Sequence, residues 1–365
     1  MITIKEVRTL DGQIVDYSIP SSSDASIDAK GHLLLFPGIV DSHICFGPSN
    51  EEEWLSAIQK AFGAGITTAI EIPHSNLLCL TKQELEQKRK NVDHQLLQAK
   101  IPLNYYFYSN ADPKNVDEIG LAKNLIKAIA IVLNPSIESL DKEWEQVFQK
   151  AAWENLPIAI NSVVESSPHD VVRRETLIEK AIHFAEKQNT RLYILNVSSE
   201  REIDLINEAR QKGILIYSET TPEHLFTENL TKNKHLWNAL KSGIIDTIGS
   251  GYAPQHLPKT KLIFKGKNFH FLDPIFLLPR LLTAALNGKI EIEKIARAAG
   301  LNISDIFNLG RSLDFLLVDL EKEQSIQEVR DHHSIEIKLK GWPIYSIVQG
   351  RIFTTPHAES LNHID

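Results

Sequence analysis

The sequence predicts an α/β fold, a (β/α)8 barrel of the TIM type with a small β-sandwich domain formed by both chain ends. Between residues 37 and 311, short runs suited to strands alternate with amphipathic helical stretches. The two ends instead carry short apolar runs separated by turn residues, and neither end has enough strands to bury its own face. We therefore expect a barrel over residues 37–311 and a composite β domain made of residues 1–36 and 312–365.

The elements follow in the order that such a barrel requires. The predicted barrel strands cover residues 33–40, 67–72, 103–107, 128–133, 158–160, 192–197, 214–219 and 244–248. Helical stretches between them include residues 51–64, 82–99, 171–187 and 200–212. The last of these begins with Ser199 and has Glu202 three residues later, which is the pattern of a capping box.

Composition and charge narrow the class of protein. The net charge of −8 and the pI near 6.0 argue against nucleic acid or an anionic membrane as the main partner. No run of 18 apolar residues predicts a membrane span, and the first residues do not resemble a signal peptide. Two cysteines in 365 residues indicate no disulfide framework, so we expect a cytoplasmic protein.

The first barrel strand ends in Asp41-Ser42-His43-Ile44-Cys45. Active sites of such barrels lie at the carboxyl ends of the strands, and residues two apart on a strand point the same way. His43 and Cys45 are therefore candidate metal ligands.

Several blocks of the sequence resemble dihydroorotases and related cyclic amidohydrolases of the amidohydrolase superfamily. The similar blocks are IDAKGHLLLFPGIVDSHICF (27–46), GAGITTAIEIPHSN (63–76), RLYILNVSSEREIDLINEARQKG (191–213), SETTPEHL (218–225) and LWNALKSGIIDTIGSGYAP (236–254). With the closing blocks LDFLLVDL (313–320) and IVQGRIF (347–353), they are spread over nearly the whole chain and occur in the right order. The resemblance implies a binuclear zinc site with two histidines after strand one, a carboxylated lysine, two further histidines, and an aspartate that acts as the base.

Most of the ligand positions that the resemblance implies hold other residues. They are occupied by His43, Cys45, Ala130, Asn161, Asn196 and Gly251, the last standing where the catalytic aspartate belongs. Lys127 lies three residues before Ala130, but a register shift that used it would break the match on both sides. Remnants of the substrate pocket are Gly47, His74, His224 and Tyr252. We therefore expect no catalytic residue, no metal and no cofactor.

Two alternatives concern the emptied site itself. His43, Cys45 and His74 form a donor set that suits one zinc ion in an altered hydrolase of cyclic amides, with Glu71 or Glu219 adding an oxygen if its strand phase turns it inward. Asn161 and Asn196 are hypothesised to hydrogen-bond to each other in place of the metals.

The resemblance also suggests what a non-catalytic chain would do. It implies a structural or assembly role in pyrimidine biosynthesis, with the catalytic chain of aspartate transcarbamoylase as the first candidate partner and a homodimer as the expected oligomer. The alternative is a protein that binds a pyrimidine-like ligand in the old pocket.

Overall fold

The computed structural model describes residues 1–46, 51–73, 81–133, 140–162, 168–226, 230–253, 261–310, 312–330 and 333–357. Two sheets organise these residues, one parallel with eight strands and one mixed with nine. In chain order the strands are β1 (Ile2–Arg8), β2 (Ile14–Ile19), β3 (Ala25–Asp28), β4 (Leu33–Pro37), β5 (Ile39–Ile44), β6 (Ile66–Glu71), β7 (Asn104–Asn110), β8 (Ile126–Leu133), β9 (Ile158–Ser162), β10 (Leu192–Ile194), β11 (Ile216–Thr220), β12 (Thr247–Ile248), β13 (Lys261–Phe264), β14 (Lys267–His270), β15 (Phe315–Arg330), β16 (His333–Val348) and β17 (Arg351–Thr354).

Helices connect most of the barrel strands. The α-helices are α1 (Glu51–Gly63), α2 (Lys82–Ala99), α3 (Val116–Ala122), α4 (Glu145–Trp153), α5 (Pro168–Gln188), α6 (Glu200–Gln211), α7 (Pro222–Leu225), α8 (Leu230–Ser242), α9 (Leu277–Leu286), α10 (Ile292–Ala296) and α11 (Asn302–Ile306). Short 3-10 turns cover Pro113–Asn115, Lys142–Trp144 and Pro274–Phe276, and a π-helical turn, Arg297–Leu301, joins α10 to α11. Within the described ranges, every helix is too short or too polar to cross a bilayer.

The eight-stranded sheet is the predicted barrel. Its strands pair in sequence order from β5 to β12, all parallel, and a single bridge between Ile44 and Tyr252 joins the two ends. The barrel is therefore nearly closed, and this part of the predicted fold is confirmed. The capping box at the start of α6 is also confirmed, with Ser199 and Glu202 each bonding to the other's backbone.

The predicted strand over residues 33–40 is wrong as one element. It is divided into β4 and β5, which belong to different sheets. β4 pairs antiparallel with β15, and the backbone N–H of Gly38 donates to the Asp314 carbonyl at 2.8 Å. The chain passes from one sheet to the other at this point, because β15 competes for the first half of the run.

The second sheet joins the described parts of both chain ends, as expected. β1 to β4 from the amino-terminal end pair with one another and with β15, which in turn pairs with β16. The hairpin β13–β14, which the sequence patterns did not indicate, extends this sheet by pairing with the far half of β15. The domain boundaries themselves stay a prediction.

Apolar side chains fill the interior of the barrel. The strands contribute Val40, Ile70, Tyr108, Ala130 and Tyr193, among others. Ile303, Ile306 and Phe307 plug the end at which the strands begin, and the Phe307 ring lies edge-on to Tyr108 and Tyr193 at centroid distances of 5.7 and 5.0 Å. The polar residues of the barrel therefore gather at the opposite end, where the strands finish.

Candidate functional site at the carboxyl end of the barrel

A layer of buried hydroxyl groups separates the apolar barrel interior from the mouth of the barrel, which is the end at which the strands finish. The Ser42 hydroxyl lies 2.8 Å from the Tyr193 hydroxyl, which lies 2.7 Å from Thr247 Oγ1. Tyr108 donates its hydroxyl hydrogen to the Ser42 carbonyl at 2.9 Å. Burial raises the pKa of both tyrosines well above the usual value, so they act here as neutral hydrogen-bonding groups that tie strands together.

His43 is paired with a carboxylate inside the mouth. Its Nδ1 lies 2.8 Å from Oε1 of Glu219, and the Glu219 side chain is fully buried. Burial alone would lower the pKa of His43, but the charge and hydrogen bond of Glu219 outweigh it and raise that pKa. The imidazole is therefore committed on one side to a partner within the chain.

Asp41 holds the backbone at the same place. Its Oδ1 accepts hydrogen bonds from the backbone N–H groups of His43 at 3.0 Å and Ser250 at 3.1 Å. The carboxyl group is completely buried, and burial raises its pKa. Asp41 therefore joins the end of β5 to the segment that follows β12, a role that the sequence patterns did not reveal.

Asn161 and Asn196 contact each other, so that hypothesis is confirmed. Asn196 Nδ2 donates to Asn161 Oδ1 at 3.1 Å. Asn196 has a φ of 59°, a left-handed conformation that asparagine tolerates better than most residues. Arg174 donates to the carbonyls of Leu195 at 2.7 Å and Asn196 at 2.9 Å, which fixes this turn from behind.

Ala130 lies in the barrel interior and offers no ligand atom. It pairs with Ala159 on β9, next to the pairing of Val132 with Asn161. Lys127 is the second residue of β8, near the start of the strand, and its ammonium lies 4.7 Å from the ring centroid of Tyr106. The register therefore puts Ala130, and not Lys127, closer to the mouth.

Gly251 and Tyr252 lie where the barrel closes. Gly251 has a φ of 66°, and its backbone N–H donates to the His43 carbonyl at 3.0 Å. The Tyr252 carbonyl accepts from the Cys45 backbone N–H at 2.8 Å, and burial, with Asp273 and Cys45 nearby, raises the pKa of the Tyr252 hydroxyl to about 12. These two positions thus serve closure of the barrel in this chain.

Glu219 and Glu71, the two possible oxygen ligands, point to different sides of their strands. Glu219 faces the mouth, as one alternative required. Glu71 does not face it, because its carboxylate lies 2.5 Å from Lys88 Nζ on α2 and accepts from the Tyr105 hydroxyl at 2.7 Å. The condition of an inward strand phase is therefore met by Glu219 and not by Glu71.

The remaining candidate positions are less informative. Gly47 and His74 lie outside the described residues. Cys45 is buried near Tyr105 and Tyr252, whose hydroxyl pKa values are raised mainly by burial. His224 lies half-buried in α7, directly after β11. The single-zinc site of His43, Cys45 and His74 thus stays a prediction.

The residues present do not fit a binuclear metal site. Ala130 and Gly251 have no donor atom, and the amides of Asn161 and Asn196 bond to each other. Zinc prefers imidazole, thiolate and carboxylate ligands, and His43 has one nitrogen committed to Glu219. Nowhere in the described ranges do three His, Cys, Asp or Glu side chains form a group able to hold a metal ion.

Comparisons with solved structures identify the fold. L-hydantoinase from Arthrobacter aurescens superposes with a TM-score of 0.73 at 18% identity, over 96% of this chain and 95% of that one. The inactive dihydroorotase-like domain of a Chaetomium thermophilum CAD-like multifunctional protein superposes with a TM-score of 0.67 at 17% identity, over 88% and 94%. The fold is that of the (β/α)8 amidohydrolases with their separate β domain.

Several curated proteins are similar to the chain in sequence. Dihydroorotase from Methanosphaera stadtmanae is 23% identical over 84% of this chain and 82% of its own length. Multifunctional protein CAD from Squalus acanthias is 24% identical over 80% of this chain but only 13% of its own length. No family model matches the chain. The chain is therefore similar in sequence to dihydroorotases and similar in fold to the (β/α)8 amidohydrolases.

Proposed function

We propose that this chain is a non-catalytic dihydroorotase-like protein with a structural or assembly role in pyrimidine biosynthesis. The observation that carries the proposal is the set of residues at the ligand positions, where Ala130, Asn161, Asn196 and Gly251 stand. None of these side chains binds zinc well, and Gly251 cannot act as a base. Loss of one supporting residue beside a metal typically costs about 10–100-fold in affinity or activity, so losing several direct ligands removes far more.

The ionisable groups that remain at the mouth have structural partners. His43 bonds to Glu219, and Asp41 accepts hydrogen bonds from the backbone of His43 and Ser250. These contacts favour a role in holding the mouth together over a role in catalysis.

The partner that we propose is the catalytic chain of aspartate transcarbamoylase, held in an assembly that this chain stabilises. The similarity to CAD, a multifunctional protein, and to an inactive dihydroorotase-like domain of a CAD-like protein supports an association with other pyrimidine enzymes. The experiment is to mix the purified chains and measure the size of the complex and the transcarbamoylase rate. We expect a stable larger species with a changed rate.

The assembly experiment has a clear contrary outcome. If the two chains elute separately and the transcarbamoylase rate stays constant over a range of mixing ratios, the partner role is wrong. An assay of the chain alone with dihydroorotate or carbamoyl aspartate is expected to give no rate above the uncatalysed background. A zinc-dependent rate in that assay would refute the non-catalytic role independently of the partner.

A second candidate function is binding of a pyrimidine-like ligand at the mouth. It is favoured by buried oxygens, Asp41 Oδ2, Asn110 Oδ1 and Glu219 Oε2, for which the described residues provide no hydrogen-bond partner. Such atoms cost about 1–3 kcal/mol each unless a donor satisfies them. Thermal-shift measurements with orotate, dihydroorotate and carbamoyl aspartate test this candidate, and a saturable rise in melting temperature would favour it over pure assembly.

A further inference from the structure

The barrel closes by an irregular seam between its first and last strands. β12 has only two residues, and the ladder between it and β5 is reduced to the bridge of Ile44 with Tyr252. Hydrogen bonds from Gly251 N to His43 O at 3.0 Å and from Cys45 N to Tyr252 O at 2.8 Å continue the seam. The Ser250 hydroxyl donates to the His43 carbonyl at 3.3 Å.

A side-chain pair crosses above this seam. His43 belongs to β5 and Glu219 to β11, so their 2.8 Å contact spans the strand between them, which is β12 with its extension. Gly249 lies directly beneath the contact. A Cβ atom at Gly249 would lie 2.6 Å from Glu219 Oε2 and 2.6 Å from His43 Cβ. The pair therefore depends on a residue without a side chain at that point.

We propose that the contact between His43 and Glu219, which passes over Gly249 and is supported by Asp41, holds the first and last strands of the barrel together at the mouth. This pair takes the place of metal ions, for which the residues present are unsuited. Asp41 contributes because its carboxylate receives backbone N–H groups from both sides of the seam. The pair is almost wholly shielded from water, with side-chain exposures of 11% for His43 and 0% for Glu219. Breaking a pair in such surroundings leaves one partner buried and unsatisfied.

This inference does not depend on the partner proposed above, because a chain can close its own barrel whether or not it assembles with another. It concerns what holds the mouth in shape. Failure of the assembly experiment would leave it intact, and failure of the experiments below would leave the partner role open.

The first test uses the unaltered protein. Its melting temperature is measured as purified, after dialysis against a strong chelator, and after addition of excess zinc. We expect the three values to agree within about 1 °C, since a ligand that binds only the folded state raises its stability. A drop of several degrees with the chelator, restored by zinc, would overturn the proposal.

The second test is a double-mutant cycle with His43→Asn and Glu219→Gln. Each single change is expected to lower the melting temperature by on the order of 5–10 °C, because a buried group loses its partner. The two changes together are expected to lower it by clearly less than the sum of the single effects. Additive effects, or single variants as stable as the parent, would contradict a coupled pair.

The third test is Gly249→Ala, with Gly120→Ala on α3 as its matched control. A Cβ at Gly120 would meet only the flexible ends of Lys150 and Glu154, so the control is expected to fold with a melting temperature within about 2 °C of the parent. Gly249→Ala is expected to lose at least as much as Glu219→Gln, and to stay destabilising in a Glu219→Gln background, because the contact with His43 Cβ is unchanged there. An unchanged melting temperature for Gly249→Ala would refute the close approach on which the proposal depends.

Discussion

Polar side chains at the positions where the resemblance implies metal ligands contact other residues of the same chain. Asn161 and Asn196 share a hydrogen bond of 3.1 Å, and His43 contacts Glu219 at 2.8 Å. Polar groups in a protein interior are costly when unpaired, so a site that loses its ions keeps its shape only if its side chains pair with each other. At the scale of single residues, these two contacts at the mouth of the barrel follow that principle.

Gly251, at the position where the resemblance implies an aspartate, has a backbone conformation and a neighbour that both oppose a side chain. It has a φ of 66°, and a Cβ there would lie 3.1 Å from Thr221 Cγ2. We expect Gly251→Asp to lower the free energy of unfolding by about 1–2 kcal/mol, because the left-handed conformation and the contact both oppose a side chain. Urea unfolding measures this loss. A variant that is more stable than the parent, or that gains bound zinc, would show that the position still suits the aspartate.

His357 is a buried histidine remote from the site. Its ring packs 4.5 Å from the Trp342 ring, and neither ring nitrogen has a hydrogen-bond partner among the described residues. Burial, with Lys265 and Lys322 nearby, lowers the pKa of His357 to about 4. The imidazole of His357 is therefore neutral in the folded protein at neutral pH.

This predicts how stability depends on pH. As the pH falls below about 6.5, His357 takes up a proton in the unfolded chain but not in the folded one, so the folded state is progressively disfavoured until about pH 4. The loss for this residue approaches about 3 kcal/mol. His357→Phe is expected to remove that part of the slope, whereas His94→Phe on exposed α2 is not. Identical pH profiles for the parent and His357→Phe would contradict this account.

At the scale of elements, one buried ion pair ties two helices to the site. Arg174 on α5 contacts Glu202 on α6, and both are almost inaccessible to water. Burial acts to raise the pKa of Glu202, but the charge of Arg174 and the N–H groups of Ser198 and Ser199 bring it below its usual value. Because Arg174 also holds the carbonyls of Leu195 and Asn196, this pair positions the turn that carries Asn196.

The two roles of Glu202, helix cap and ion-pair partner, can be separated. Ser199→Ala removes the cap on α6, together with the 3.3 Å contact of the Ser199 hydroxyl with Glu175, and leaves the ion pair in place. It is expected to cost about 1 kcal/mol, as is Thr81→Ala at the matching capping box of α2. Glu202→Gln also leaves Arg174 without its counter-charge, so we expect it to cost about 3–5 kcal/mol. Chemical denaturation compares the three variants. Equal losses would mean that the ion pair contributes nothing beyond the cap.

At the scale of the whole molecule, the barrel and the mixed sheet share the chain at two places. Pro37 and Gly38 separate β4 from β5, and β15 begins shortly after the helical turns that plug the barrel. A second apolar cluster, with Phe264, Phe276, Ile326, Leu339 and Trp342, forms where the hairpin β13–β14 meets the far halves of β15 and β16. Segments of the mixed sheet thus adjoin the barrel both before its first strand and after its last helical turns.

The sequence predicts the repeating part of this architecture and misses the parts that depend on distant contacts. Strand and helix periodicity locate the barrel strands because each one has its own apolar face, and a helix such as Lys82–Ala99 matches its predicted bounds. The division of residues 33–40 depends on β15, far along the chain, and cannot be read locally.

The same contrast holds in the site. The absence of ligands at Ala130, Asn161, Asn196 and Gly251 can be read from the sequence once the resemblance supplies the positions. The pairing of His43 with Glu219 could not be predicted, since it depends on strand phase and on the space that Gly249 leaves. Glu71 is the last residue of β6 and Glu219 the last but one of β11, yet the two side chains face opposite sides of the barrel wall.

The most direct test of the central claim is the metal content of the purified chain after loading with excess zinc and removal of the unbound ion. A dismantled site predicts well below one zinc ion per chain, with no further fall after Cys45→Ser. One or two tightly bound zinc ions per chain, accompanied by conversion of dihydroorotate to carbamoyl aspartate, would contradict the account.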